Sequence, residues 1–190
     1  MSNPLTTVTP QTLSILQNPA VLAVSQDPAA SPAIRRWRHY LDHDIDPYGK
    51  KGEIQLYSSP LSGGDQVVLF LNAGSTTRAM NASLAEIFWD EGASGTAEQV
   101  KASWDVYDLW KGRMGNSTSA GVINGNGTSP YNLTARGGAQ KVYSEVPASG
   151  DKTLMGTKVG SVQPRGTVSA MVRPHGVAMF RLRKKKRDEL

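Results

Sequence analysis

Short apolar segments separated by turn residues run through this chain beyond residue 32, and their spacing restricts the fold more than any other feature. Residues 36–41 and 53–57 alternate apolar with polar side chains, while residues 66–71 form a continuous apolar run between two clusters of Gly, Asp and Asn. Such segments, recurring roughly every 8–12 residues without helices between them, predict an antiparallel β-sandwich or barrel. The continuous run predicts a strand at the centre of two packed sheets.

The second half of the chain continues the same pattern. Residues 100–110 hold several large apolar side chains, residues 142–146 make a weaker strand candidate, and residues 167–172 and 177–182 form a last pair. Arg-Pro-His-Gly at 173–176 joins that pair as a tight connection. The 19 glycines and 11 prolines fit the many turns of a mainly β fold.

The first 30 residues follow a helical pattern instead. Thr9 can cap a helix that starts with Pro10, where the missing N–H costs nothing. Apolar residues then recur up to residue 24 with an interruption at Pro19, which predicts a helix with a break. Because a lone amphipathic helix of this length is marginal in water, it must pack on another element. Asp-Pro-Ala-Ala-Ser-Pro at 27–32 ends it and marks a boundary.

Four segments that stand in order along the chain carry a family resemblance. They are Asn-Pro-Ala-Val-Leu-Ala-Val-Ser-Gln-Asp-Pro at 18–28 with the helix before it, Pro-Leu-Ser-Gly-Gly-Asp-Gln-Val-Val at 60–68, Trp-Asp-Val-Tyr-Asp-Leu-Trp at 104–110, and Val-Arg-Pro-His-Gly-Val-Ala-Met-Phe-Arg-Leu at 172–182. The first resembles the last helix of the catalytic barrel of α-galactosidases (melibiases), and the others resemble their C-terminal sandwich. The resemblance is nearest to the enzymes that filamentous fungi secrete.

That resemblance implies an organisation of the chain. The family has a (β/α)₈ barrel followed by an antiparallel sandwich, so residues 1–30 are expected to be the end of the last barrel strand and its helix. Residues 31–183 are expected to form the sandwich, and residues 184–190 a basic disordered tail. The expected fold class is mainly β: an antiparallel Greek-key β-sandwich preceded by a short helical remnant of the barrel.

The resemblance also implies an activity of the parent enzyme. The family removes terminal α-linked galactose from oligosaccharides and galactomannans with retention, using two aspartates on earlier barrel strands. No motif of those strands matches here, so we assign no catalytic and no substrate-binding residue. We expect a C-terminal fragment that supplies the structural β-sandwich, has the catalytic barrel as its partner, reaches galactosides through that barrel and needs no cofactor. A stand-alone carbohydrate-binding module and a non-functional truncated product stay open as alternatives.

Acidic residues offer one metal-like pattern. Asp42, Asp44 and Asp46, with Glu53 after them, imitate the ligand spacing of a calcium loop. Pro47 stands where such a loop needs glycine, and two lysines follow, so a solvated acidic turn is favoured. On an extended segment these aspartates would lie about 6.5–7 Å apart along the backbone, loosely the separation of an inverting carboxylate pair, but no pocket is implied.

Histidines and tryptophans offer weaker candidates. His39 and His43 are four residues apart, yet they lie on a predicted strand and lack a third zinc ligand, so no metal site is assigned. His175 stands in the Pro-His-Gly connection, where a turn role is expected. The tryptophans could stack on sugars, although at strand spacing they are more often core, and Trp37 or Trp110 would be the platform of a binding module. The four are Trp37, Trp89, Trp104 and Trp110.

The net charge of +5 does not predict a nucleic-acid partner. Residues 181–190 hold six basic and two acidic side chains, so the last ten residues account for four of the five charges. A phosphate-binding face needs basic residues spread over the fold. No apolar run reaches the roughly 18 residues of a membrane helix, so a membrane is not expected as a partner either.

Four Asn-x-Ser/Thr sequons predict N-glycosylation and a secreted parent enzyme. They lie at Asn81, Asn116, Asn126 and Asn132. The first residues of this chain lack the basic and apolar regions of a signal peptide. Arg-Asp-Glu-Leu at 187–190 is a close variant of an endoplasmic-reticulum retrieval signal, and the basic run before it also fits nuclear import.

Overall fold

The computed structural model describes residues 8–29, 31–89, 96–126 and 152–185. The chain forms two compact units: a helical unit of Met1–Asp27 with Leu109–Thr157, and a sandwich unit of Pro28–Asp108 with Lys158–Leu190. Residues 109–157, which the sequence-based division assigns to the sandwich, thus group with the first 27 residues. The division into a barrel remnant, a sandwich and a tail stays a prediction.

Strands prevail over helices in the described residues. The helices are α1 (Pro10–Leu16), α2 (Pro19–Ser25), α3 (Leu84–Ile87), α4 (Thr96–Val100), α5 (Asn116–Ile123) and α6 (Lys152–Met155). The strands are β1 (Ile34–Ile45), β2 (Lys51–Pro60), β3 (Gln66–Asn72), β4 (Arg78–Ser83), β5 (Trp104–Asp108), β6 (Thr157–Val162), β7 (Thr167–Val172) and β8 (Gly176–Lys184). A 3-10 turn at Ser62–Gly64 precedes β3. The mainly β fold class predicted from the sequence is confirmed.

In the helical unit, side-chain caps define where the first two helices start. Thr9 caps α1 and Asn18 caps α2, each accepting a hydrogen bond from a backbone N–H of the first turn. Pro19, the predicted break, is the first residue of α2. The Asn18 side-chain amide also donates to the carbonyl of Leu109 at 2.8 Å. This buried bond fixes the start of α2 within the helical unit.

The two helices differ in what they bury. In α2, Ala23 and Val24 are buried, and this helix packs on α6. The buried residue of α1 is Ser14, although this helix packs on α5. Ile15 and Leu16 at the end of α1 are 44% and 49% exposed. The apolar end of α1 therefore faces solvent.

The sandwich unit contains a six-stranded sheet in the order β1-β2-β3-β8-β5-β6 and a two-stranded sheet of β4 and β7. The pairs β1–β2, β2–β3, β3–β8, β5–β8 and β4–β7 are antiparallel. The last strand, β8, lies between β3 and β5, so the chain returns to the middle of the sheet as in Greek-key folds. The predicted antiparallel β-sandwich is confirmed.

The core joins the two sheets and α3. Strand alternation points one face of each sheet inward. The core residues are Leu56, Val68, Phe70, Trp104, Val106, Val162, Phe180 and Leu182 from the larger sheet, Met80, Ala82, Val168 and Val172 from the smaller sheet, and Leu84, Ile87 and Phe88 from α3 and its end. Phe88 stacks on Trp104 with 4.8 Å between ring centroids. Trp104 is 1% exposed, as expected for a core residue.

Two strands, β4 and β6, differ from the sequence analysis, and one predicted strand stays untested. The strand β4 begins at Arg78 and ends at Ser83, beyond the short segment 76–80 that the sequence indicates, and the sequence gives no sign of β6. Both strands have a weak hydrophobic pattern, because β4 carries small and polar side chains and β6 exposes every residue except Val162. The candidate strand at 142–146 lies outside the described residues.

Candidate functional site

A buried carboxylate, Asp65, meets two arginines of β8. Its Oδ2 accepts hydrogen bonds from Arg181 Nε at 2.7 Å and from Arg183 Nη2 at 2.9 Å. The side chains of Asp65 and Arg181 are 2% and 0% exposed. Asp65 stands between the 3-10 turn and β3, so this pairing ties the entry of β3 to the end of β8. The sequence analysis did not identify this cluster.

The three aspartates with calcium-like spacing each have a separate partner. Asp42 Oδ1 pairs with Lys51 Nζ at 2.7 Å. Asp46 Oδ1 accepts from the backbone N–H groups of Tyr48 and Lys50 at 2.9 and 2.8 Å, which closes the β1–β2 turn. Within the described ranges, no three His, Asp or Glu side chains converge in a way that could hold a metal ion.

Asp44, the third of these aspartates, joins the β1–β2 hairpin to the loop after β3. Its Oδ2 accepts from the backbone N–H of Ser75 at 2.7 Å. Hydrogen bonds from the Ser75 side chain and backbone lower the pKa of Asp44, with smaller contributions from the charges of Arg78 and His175. The hydrogen bond and charge of Lys51 likewise lower the pKa of Asp42. Both carboxylates are therefore ionised, and each already accepts a hydrogen bond from within the chain.

Glu53, the fourth acid of the pattern, lies on β2 away from the turn. Its carboxylate accepts from the Gln55 side-chain amide and approaches Arg38 Nε at 3.8 Å. Glu53 thus belongs to a row of polar side chains across β1 and β2. The structure does not bring it together with Asp42, Asp44 and Asp46 as one site.

The three histidines lie apart, on β1 and in the β7–β8 turn. His39 lies against the ring of Trp37, with 4.9 Å between centroids. His175 adopts a φ of 50° in the β7–β8 turn, and its backbone N–H donates to the carbonyl of Gly74 at 3.3 Å. The turn role expected for His175 agrees with this geometry. His43 lies exposed on β1.

The tryptophans differ widely in exposure. Trp37 and Trp110, the two expected as a sugar platform, are half-buried, and Trp37 packs against the core. Trp89, just after α3, is 63% exposed, and its carbonyl accepts a hydrogen bond from the Arg36 guanidinium. The most exposed of the four tryptophans is therefore not one of the two that the sequence favours as a sugar platform.

Three of the four sequons lie in the described residues. Asn81 is exposed on β4, Asn116 is exposed at the start of α5, and Asn126 is exposed beyond the end of α5. Asn132 and the terminal residues 187–190 lie outside the described ranges. Among the described helices, none has the length and apolar character needed to cross a bilayer.

Comparison with known proteins places this geometry in a family. Residues 51–133 match the family described as the alpha galactosidase C-terminal beta sandwich domain. The chain is 41% identical over 180 residues to alpha-galactosidase 2 of Saccharomyces cerevisiae, covering 93% of this chain and 36% of that protein. It is also 41% identical over 181 residues to an alpha-galactosidase of Torulaspora delbrueckii, covering 94% of this chain and 36% of that protein.

Solved structures of α-galactosidases also match this chain. The structure of α-galactosidase from Saccharomyces cerevisiae with raffinose matches with a TM-score of 0.85 and 37% identity, covering 96% of this chain and 39% of that chain. The crystal structure of alpha-galactosidase I from Mortierella vinacea shares the fold with a TM-score of 0.58 and 24% identity, covering 96% of this chain and 30% of that chain.

The sandwich is thus of the α-galactosidase C-terminal class. This chain carries that domain and corresponds in sequence and fold to the C-terminal part of α-galactosidases. It spans only 36% of the length of the Saccharomyces and Torulaspora relatives. The sequence analysis expects the nearest resemblance among enzymes of filamentous fungi, whereas the comparisons include yeast enzymes at 41% identity and a Mortierella vinacea enzyme at 24%.

Proposed function

We propose that this chain supplies the structural β-sandwich of an α-galactosidase that removes terminal α-linked galactose from oligosaccharides and galactomannans. The observation that carries the proposal is the match over 93% of the chain to an α-galactosidase of which it covers 36%. In this role its partner is a catalytic (β/α)₈ barrel, which holds the nucleophile and the acid/base aspartates. The chain itself contributes no residue to the chemistry.

The acidic residues of the sandwich unit support a structural role. A retaining glycosidase needs two carboxylates about 5–5.5 Å apart that face the sugar. Asp65 instead binds two arginines, and Asp105 binds Lys158 Nζ at 2.6 Å. Asp44 and Asp46 accept hydrogen bonds from backbone N–H groups. These bonds hold strands and turns together.

Exposed apolar residues at the end of α1 favour packing against the apolar surface of a partner. Ile15 and Leu16 leave about half of their surface in water. An exposed apolar helix face favours association with another surface. On the proposed role, this end of α1 packs on the catalytic barrel, in the way that the family resemblance implies for the last barrel helix.

A carbohydrate-binding module is the second class of function considered. It requires an exposed aromatic platform, and Trp37 and Trp110 are half-buried. Trp89 is exposed, but a lone tryptophan gives no groove for a sugar chain. Saturable binding of galactomannan, lost in Trp89→Ala and retained in Trp37→Ala, would support this second function over the structural one.

The structural role is tested by assaying the purified chain with p-nitrophenyl α-galactoside. We expect no hydrolysis above background, because the aspartates described above make contacts that hold strands and turns together. Turnover that co-purifies with the chain and disappears in Asp42→Asn or Asp44→Asn would overturn the proposal. Asp46→Asn, at the neighbouring turn, is the matched control for loss of a carboxylate.

A further inference from the structure

The two-stranded sheet of β4 and β7 has an outer face made mostly of short side chains. The register places Ala79 opposite Met171, Asn81 opposite Ser169, and Ser83 opposite Thr167. Residues that stand opposite each other point to the same side of the sheet. The alternate residues of both strands, with Met80 and Val168 among them, point into the core. The six paired residues therefore form one surface.

This surface is made of short side chains around one large apolar side chain. Ala79, Asn81, Thr167 and Ser169 are exposed, and Ser83 is partly exposed. Met171 is 69% exposed. It lies diagonal to Asn81 across the two strands, a separation of about 7–8 Å between such neighbours. The short side chains leave room above the sheet, and Met171 leaves an uncovered apolar surface beside Asn81.

We propose that Asn81 carries an N-linked glycan whose first sugars lie on this outer face and cover Met171. Asn81-Ala82-Ser83 is an acceptor sequon, so the glycan is attached to a residue at the centre of the face. The carbon-bound hydrogens of a sugar ring give it an apolar side that can pack on the Met171 thioether. The hydroxyl groups of the sugar meet Ser169 and Thr167.

The attachment is a group transfer from a lipid-linked oligosaccharide pyrophosphate of the secretory pathway. The Asn81 amide nitrogen bonds to the anomeric carbon, the bond from that carbon to the pyrophosphate oxygen breaks, and lipid pyrophosphate leaves. One amide proton is lost to a base of the transferase. No oxidant or reductant is involved.

The fold determines when this transfer can occur. In the folded chain, the Ser83 hydroxyl donates to Glu86 Oε2 at 2.7 Å and accepts from the Glu86 backbone N–H at 3.2 Å. This capping box occupies the hydroxyl of the sequon. The sugar is therefore added before β4 and α3 form, and the completed sheet then folds beneath it.

The test directs the full chain into the secretory pathway of a yeast host and maps the sites by mass spectrometry. Asn81→Gln removes the acceptor, while Ser83→Thr keeps both the sequon and the cap and is the matched control. Folded protein is then treated with dilute peroxide. Met171 and Met179 fall in one tryptic peptide because Pro174 follows Arg173, so Met179 is an internal reference.

We expect Asn81 to be occupied, and Met171 to oxidise about threefold or more slowly in the glycosylated chain than in Asn81→Gln. Met179 should oxidise at equal rates in both. If the Asn81→Gln chain misfolds, seen as oxidation of the buried Met80, treating the folded glycosylated chain with peptide-N-glycosidase, which removes the whole glycan, provides the comparison. An empty Asn81 in a chain whose other sequons are occupied, or equal oxidation of Met171, overturns the proposal.

This inference needs the secretory route but not the proposed function. A chain with no part in α-galactosidase activity would give the same occupancy and the same oxidation pattern. Conversely, hydrolysis of an α-galactoside by the chain would leave the glycan result unchanged. The two proposals therefore fail separately.

Discussion

Apolar side chains are buried in the sandwich core but largely exposed at the end of α1. Trp104 is 1% exposed and Phe70 is 0% exposed, whereas Ile15 and Leu16 keep about half of their surface in water. Full burial of such a side chain contributes about 1.5–3 kcal/mol. The sandwich thus obtains its stability from its own strands. The end of α1 has apolar surface that the described residues do not cover, as expected for a surface that packs on a partner.

The largest effect is expected for Trp104→Ala in the core. Truncating a buried tryptophan removes its contacts and leaves a cavity, at a cost of about 3–5 kcal/mol. Guanidinium unfolding of the sandwich measures this cost. Trp89→Ala, which removes the 63% exposed indole, is the control and should change the free energy of unfolding by less than about 0.5 kcal/mol. Similar losses for both variants would contradict the contrast between core and surface.

Asp65→Asn should rank next. The substitution keeps the shape but removes the carboxylate charge that faces the Arg181 guanidinium, which is 0% exposed. Removing one partner of a buried ion pair costs about 3–5 kcal/mol, and the remaining amide oxygen can still accept a hydrogen bond, so we expect about 3 kcal/mol. Asp42→Asn, at an exposed pair with Lys51, should leave the unfolding midpoint almost unchanged. A stable Asp65→Asn variant would show that the pair does not hold β3 to β8.

Gly74→Ala tests the close approach of the loop after β3 to strand β1. An added Cβ would lie 2.5 Å from Asp44 Oδ2 and 2.7 Å from Leu41 Cδ1. Asp44 would have to give up its bond to Ser75, so we expect a loss of about 1–2 kcal/mol, in the range for overpacking. Gly160→Ala, with no atom within 4 Å of the added Cβ, is the control. An unchanged unfolding midpoint for Gly74→Ala would mean that this contact is loose.

The smallest change in stability is expected for Ile15→Ser with Leu16→Ser. These side chains are largely exposed, so the free energy of unfolding should move by about 0.5 kcal/mol or less. Self-association, measured by light scattering, should decrease because the apolar surface is smaller. Val24→Ser, at a buried position of α2, should be clearly destabilising. Unfolding by the Ile15/Leu16 pair would show that the end of α1 belongs to this chain's own core.

Much of the fold could be predicted from alternation of apolar residues. Residues 66–71 read as a central strand and are part of β3, and Trp104 reads as core and is buried. The full extent of β4 and the existence of β6 could not be predicted, because their pairing depends on neighbours distant in the chain and their side chains are small or exposed. Local sequence carries little information about such strands.

The buried charges were harder to predict than the strands. Alternation along β8 puts Arg181 and Arg183 on the face opposite Phe180 and Leu182, which would normally indicate solvent. Asp65 is far from them in sequence, and only the folded sheet brings the three together. The exposure of Trp89 likewise depends on where α3 ends, which the sequence analysis did not locate.

Replacing the matching C-terminal part of the Saccharomyces cerevisiae α-galactosidase with this chain tests the structural role most directly. If the chain is a structural sandwich of this family, the hybrid should hydrolyse p-nitrophenyl α-galactoside, and both Trp104→Ala and the Ile15/Leu16 double substitution should lower its thermal stability. A hybrid that folds but is inactive would contradict the account. So would a hybrid whose activity and stability are indifferent to Trp104→Ala.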